Sequence, residues 1–212
     1  DGSFDVYRVT GTSPIKGYSI ENGCETLYQE IASEVFIGTY NVSGNEIIFA
    51  EDMVWVEGVV NGKTTVVAVR FPIGTFDTHI WVLKNITYLD RNGSHRLGLI
   101  AQKDIIMGRD VPDDFEMNGA ILAQNGRIIR HHYGYFGCKS PGKDKIKKEF
   151  KFFGSLISDQ RSYWNFSQGP QSPAAGFQKS TLDYDPTLQF APPPYFPSSG
   201  QYEFFSWSEE KS

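Results

Sequence analysis

Four acidic residues crowd into seven positions: Asp110, Asp113, Asp114 and Glu116. Carboxylates this close can share a hard cation such as Ca²⁺ through their oxygens. Grouped on one face, they could instead divide acid and base work in glycoside cleavage. Pro112 sits inside the group, and the spacing and glycine of an EF-hand loop are missing. The group therefore reads first as a solvated turn and only second as a metal site. His131 and His132 are the one histidine pair, and His79 and His95 stand alone. Adjacent residues on a strand point to opposite faces, so one metal would not take both members of the pair. A basic run holds Lys143, Lys145, Lys147 and Lys148, with Asp144 inside it and Glu149 after it. Such a run reads as a solvated loop, with contact to an anionic polymer as the sharper alternative. Cys24 and Cys138 are the only cysteines, and they form no CxxC pair. They make one disulfide if the chain is exported and two free thiols otherwise. Sequons begin at Asn41, Asn85, Asn92 and Asn165, and they matter where the export route glycosylates. Trp55, Trp81, Trp164, Tyr163 and Tyr133 would form a sugar platform if they faced outward together, and core otherwise. The nucleophile-elbow, zincin and phosphate-loop motifs are missing. No catalytic residue and no cofactor is assigned.

The elements that must carry these residues are β-rich. The 212 residues hold 21 Gly and 11 Pro, 15% are aromatic, and aliphatic content is modest. That mixture suits strands and turns better than a helical bundle. The net charge of −5 argues against nucleic acid as a partner. No apolar run approaches the roughly 18 residues of a membrane span. The chain opens at Asp1 without Met. We therefore expect a processed or truncated form, which leaves room for an N-terminal anchor upstream.

Along the chain, Cys24–Ala32 is the best helical candidate. Leu27, Ile31 and Val35 recur at four-residue spacing after Asn22-Gly23. From Glu34 onward the runs Glu34–Ile37, Glu46–Ala50, Met53–Val56, Thr64–Phe71 and His79–Leu83 read as strands. The turns between them are built on Ser43-Gly44-Asn45, Asn61-Gly62 and Asn92-Gly93. Gly38, Gly58, Gly98, Gly119 and Gly154 each adjoin an apolar run, at intervals of 20, 40, 21 and 35 residues. A repeat near 20 residues suits stacked rungs of a β-solenoid. The last interval contains an insertion, Tyr133 to Lys148. Residues 167–180 are small and polar around Phe177 and read as a connector. The segment Ala191–Pro197 is extended by its prolines. With Phe190, Tyr195 and Phe196, and a final strand at Tyr202–Trp207, it should lie along the scaffold.

Read in order, several segments resemble a known family. They are Leu97-Gly-Leu-Ile-Ala-Gln-Lys-Asp-Ile, Gly119-Ala-Ile-Leu-Ala-Gln-Asn-Gly, Phe153-Gly-Ser-Leu-Ile, Tyr184-Asp-Pro-Thr-Leu, Pro192-Pro-Pro-Tyr-Phe-Pro and Ser206-Trp-Ser-Glu. Together they look like the C-terminal region of bacterial type IV pilin-like surface proteins of the PilX kind, over roughly residues 45–210. Val54–Val66 and Asn85-Ile-Thr-Tyr also suit it. The resemblance implies an exported structural protein of the cell surface or an extracellular filament, with no catalytic residues to carry over. It implies self-association or contact with other filament subunits. Membrane contact would come only through an N-terminal helix that this chain lacks.

The expectation is an all-β protein in three parts. Residues 1–36 form an N-terminal segment with one short helix, residues 37–166 a parallel β-solenoid-like body, and residues 167–212 an extended Pro/aromatic tail packed along it. The rival is an extracellular β-solenoid that binds or cleaves polysaccharide.

Overall fold

The computed structural model describes residues 2–42, 45–139, 145–167 and 173–197. It is all-β with parallel sheets, and the described residues contain no α-helix, only two short 3-10 turns. The strands are β1 (Gly2–Ser19), β2 (Gly23–Val42), β3 (Glu46–Ala50), β4 (Val54–Trp55), β5 (Gly58–Val60), β6 (Lys63–Ala68), β7 (Ile80–Val82) and β8 (Ile86–Tyr88). They continue with β9 (Arg96–Ala101), β10 (Ile105–Met107), β11 (Asp114–Ala123), β12 (Ile128–Arg130), β13 (Ile146–Ser158), β14 (Phe166–Ser167) and β15 (Pro173–Tyr184).

From β3 onward the chain visits three parallel faces in rotation. The first face is β3, β6, β9 and the C-terminal halves of β11 and β13. The second is β4, β7, β10 and β12, with Tyr163 bridging Ile129 one rung further on. The third is β5, β8, the N-terminal halves of β11 and β13, and β15. Register is kept from rung to rung, so like residues stack. One column runs Ile48, Val66, Leu99, Ile121, Leu156, and another runs Ala50, Ala68, Ala101, Ala123, Ser158. Stacking equal volumes lets each rung close on the next without voids. The core lies between the three faces, with Ile80, Leu99, Ile105, Met117 and Ile121 fully buried. Phe115, Phe150 and Phe177 stack at one side, with centroids 5.4–5.9 Å apart.

The glycines that open the apolar runs have separate roles. Gly119 and Gly154 pair in adjacent rungs where β11 and β13 bend from the third face to the first. Their φ values are 150° and 149°, and a side chain on Gly154 would collide with the Gly119 carbonyl, 1.9 Å away. Gly98 aligns with Ala120 instead, Gly58 lies on the third face, and Gly38 belongs to β2. Among these five glycines, only Gly119 and Gly154 pair with each other in the ladder.

Three expectations are corrected here. The helix predicted over Cys24–Ala32 is instead part of β2, which pairs antiparallel with β1 across a bulged ladder. A two-turn helix is marginal alone, whereas the strand gains a full partner. Asn22-Gly23 starts no helix and belongs to the hairpin turn, with Gly23 at φ 71°. The connector predicted over 167–180 is also overturned, because Pro173–Tyr184 pairs parallel with β13. Its small residues allow that close approach. Ala175 is buried, and Gly176 leaves no room for a Cβ against the Trp164 carbonyl. Phe177 supplies the core group at 1% exposure. β1, the partner of β2, is one continuous strand with register shifts around Gly11. The turn at Ser43-Gly44 and the strand read at Tyr202–Trp207 lie outside the described residues.

The Pro-rich segment crosses the outside of the first face. Ala191 O accepts from Arg96 Nε at 2.8 Å, and Pro194 O accepts from Thr65 Oγ1. Phe196 packs on Val67, Val69 and Ile100.

Candidate functional site

The turn half of the β1–β2 hairpin lies over the second face, and a cluster of titratable side chains sits in that seam. His79, Asp104 and Arg127 each precede a strand of this face. The next residues, Ile80, Ile105 and Ile128, stack in register, which aligns the three polar side chains across successive rungs. The hairpin adds Glu21 and Glu25. Arg127 Nη1 meets Glu21 Oε2 at 2.6 Å, and its Nε stands 3.9 Å from Asp104. His131 Nε2 lies 3.2 Å from Glu25 Oε2. A cavity of about 160 Å³ opens between them, walled by Glu25, His79, Trp81, Asp104, Arg127 and His131.

Burial keeps the His79 imidazole neutral by pulling its pKa down, against the opposing pull of Asp104. The Asp104 backbone N–H donates to His79 Nδ1 at 3.3 Å. Asp104 Oδ1 accepts from the Arg127 backbone N–H at 2.8 Å. Burial opposes ionisation of Glu25, but hydrogen bonds from His131, Ser19 and Asn22 outweigh it and hold the carboxyl at about 2. Further along the seam, Trp55 Nε1 donates to Gln29 O at 2.8 Å, and Tyr133 Oη donates to Gln29 Oε1 at 3.0 Å. Arg109 pairs with Glu30 at 2.5 Å, while burial lifts that carboxyl above its usual range. Cys24 and Cys138 are joined in a disulfide at the same seam. The groups bond mostly across the hairpin–body boundary. Chemically the arrangement is a clamp: one covalent bond plus a row of charge-assisted hydrogen bonds.

The two charged groups singled out in the sequence meet each other. Lys147 is 5% exposed and lies 3.7 Å from Asp113. Lys148 lies 3.9 Å from Asp114, Glu116 pairs with Arg91 at 3.0 Å, and Asp110 pairs with Arg109 at 3.0 Å. The acids are thus neutralised by cations on the neighbouring rung or beside them. The buried ammonium of Lys147 is not available to an external polymer. Lys145 contributes its backbone carbonyl to Arg130 Nη1 at 3.1 Å, and Lys143 lies outside the described residues. Among the described residues, no group of three or more His, Cys, Asp and Glu is placed to hold a metal.

His131 faces Glu25, whereas the His132 ring packs on Tyr135 and Phe166. Of the sequon asparagines, Asn85, Asn92 and Asn165 accept backbone N–H bonds from Glu116, Ser94 and Phe177, and Asn41 is exposed on β2. Trp81 and Tyr133 are buried beneath the hairpin, with Trp55 and Tyr163 packed against them. Trp164 packs on the main core. These five aromatics therefore form no outward platform.

Sequence reasoning missed Glu25, Asp104, Arg127 and the fully buried Arg130, and set His79 aside as isolated. A signal existed. His79-Ile-Trp-Val, Asp104-Ile-Ile-Met and Arg127-Ile-Ile-Arg repeat a polar residue before an Ile-led run, 25 and 23 residues apart. Arg130 occupies the core column of Val82 and Met107. Its guanidinium donates to the Arg109 carbonyl at 3.1 Å and lies 5.0 Å from the Tyr133 ring centroid. Comparison with protein-family models, curated proteins and solved structures found no match.

Proposed function

We propose that this chain is a non-enzymatic structural module: a parallel β-solenoid, braced by its hairpin, within a bacterial cell-surface or extracellular filament component of the pilin-like kind. The observation that carries the reading is the unbroken apolar column Ile48–Val66–Leu99–Ile121–Leu156, repeated rung upon rung. Columns of this kind build a stiff, quasi-one-dimensional body whose stability grows with rung number. The polar clusters support the same reading, because they spend their charges on one another inside the fold. The Cys24–Cys138 bridge suits an oxidising, extracytoplasmic setting. The polysaccharide-cleaving rival needs grouped, outward carboxylates, and Asp110, Asp113 and Asp114 are engaged by Arg109, Lys147 and Lys148. The test is immunogold labelling of the source cells together with fractionation. Label on the cell surface or on shed filaments is expected. Label confined to the cytoplasm overturns the proposal.

A further inference from the structure

The core columns change character at their two ends. Val66, Leu99 and Ile121 are 6%, 0% and 0% exposed, yet their column ends Ile48 and Leu156 are only partly buried. On the third face, Ile86, Met117 and Phe152 are at most 4% exposed, while Leu182, next in line, is 50% exposed. Beside Leu182 and Leu156 a shallow groove of about 250 Å³ opens onto Phe152. At the opposite end, Val54, Val56 and Val60 are partly buried and Val59 is exposed. Outside the columns, Phe49 and Ile157 are exposed at the two ends of one outer row, Phe49–Val67–Ile100–Leu122–Ile157. An unpaired rung leaves both backbone groups and apolar side chains available to another strand.

One further observation selects the occupant: the ends match. On the first face the last rung offers Leu156, Ile157 and Ser158, where the first offers Ile48, Phe49 and Ala50, so a copy stacked in register continues these columns with side chains of similar kind. On the second face, Tyr163 would meet Trp55.

We propose that the first rung of one copy stacks on the last rung of another, a head-to-tail contact between residues 46–60 and the rung formed by residues 154–158, Tyr163 and residues 176–184, which extends the parallel ladder across chains. Such a contact is heterologous and does not close on itself, so it propagates. The inference rests on the solenoid reading above and can fail without it.

The test uses two exposed-site variants of the 212-residue chain, one blocked at each end: Phe49→Lys and Ile157→Lys. Light scattering after size exclusion, run from low to high micromolar protein, should show growing assemblies for the wild type. Each variant alone should stay monomeric, because its remaining end finds no free partner end. An equimolar mixture of the two should give 1:1 dimers and nothing larger. Circular dichroism identical to wild type shows that the variants fold, and for any that do not, Phe49→Gln and Ile157→Gln replace them. Assemblies that survive in both single variants overturn the proposal. A strictly monomeric wild type also overturns it, and with surface labelling intact it leaves the structural reading standing. Association seen only after residues 198–212 are removed assigns the last rung to the chain's own tail and equally overturns stacking between copies.

Discussion

Replacing Cys24 and Cys138 together by Ser tests how the hairpin is held. The bond closes a loop between residues 114 apart. For a loop of that length the chain-entropy model gives about 5 kcal/mol of stabilisation at 25 °C, most of it through the unfolded state. The Glu21–Arg127, Glu25–His131 and Glu30–Arg109 pairs remain in the variant. The folded hairpin should therefore stay docked, with unchanged circular dichroism. In a chain of this size, 1 kcal/mol moves Tm by about 2–4 °C, so the midpoint should fall by about 10–20 °C. Urea unfolding of the oxidised wild type and the double variant reads the loss directly. A loss below about 1 kcal/mol would refute the reasoning. So would two titratable thiols in the native, unreduced protein.

Other outcomes follow from the same contacts. Ile121→Ala, in mid-column and fully buried, should cost about 3 kcal/mol, and Leu156→Ala at the open end about 1, compared by urea midpoints. Gly154→Ala should cost about 2–4 kcal/mol or prevent folding, because backbone fills the space a Cβ needs and φ is 149°; thermal melts read this. The Glu25 carboxyl is depressed from 4.5 to about 2, so its contribution is intact above pH 4.5 and is lost as pH falls toward 2. Glu25→Gln should flatten the acid limb of stability between those values. Millimolar Ca²⁺ should leave Tm unchanged, since Asp110, Asp113, Asp114 and Glu116 already face cations; a rise in Tm would restore the metal reading.

Local chemistry in the sequence was enough to mark the strands of the body. Glu46–Ala50, Thr64–Phe71 and His79–Leu83 carry β-branched and aromatic residues between turn glycines, and each overlaps a strand of the structure. The all-β class follows from such runs, because side-chain shape and turn geometry act over a few residues. The Cys24–Ala32 segment shows the limit of local reading. Its four-residue apolar spacing fits a helix, but β1 offers a complete ladder, and that partner is invisible in the segment itself. Residues 173–184 show the same in reverse: too few apolar groups for a core of their own, yet one Phe suffices once β13 supplies the neighbouring wall.

The pairings lay beyond the sequence for a physical reason. Asp113 meets Lys147, and His79 lines up with Asp104 and Arg127, only because the intervening circuits differ in length yet return each strand to the same register. That return depends on every turn in the circuit together. Residue types thus determined that this chain builds stacked strands with glycine corners. The tertiary structure decided which charges cancel, which cysteines join, and that among the described residues the core columns end partly exposed at both extremes.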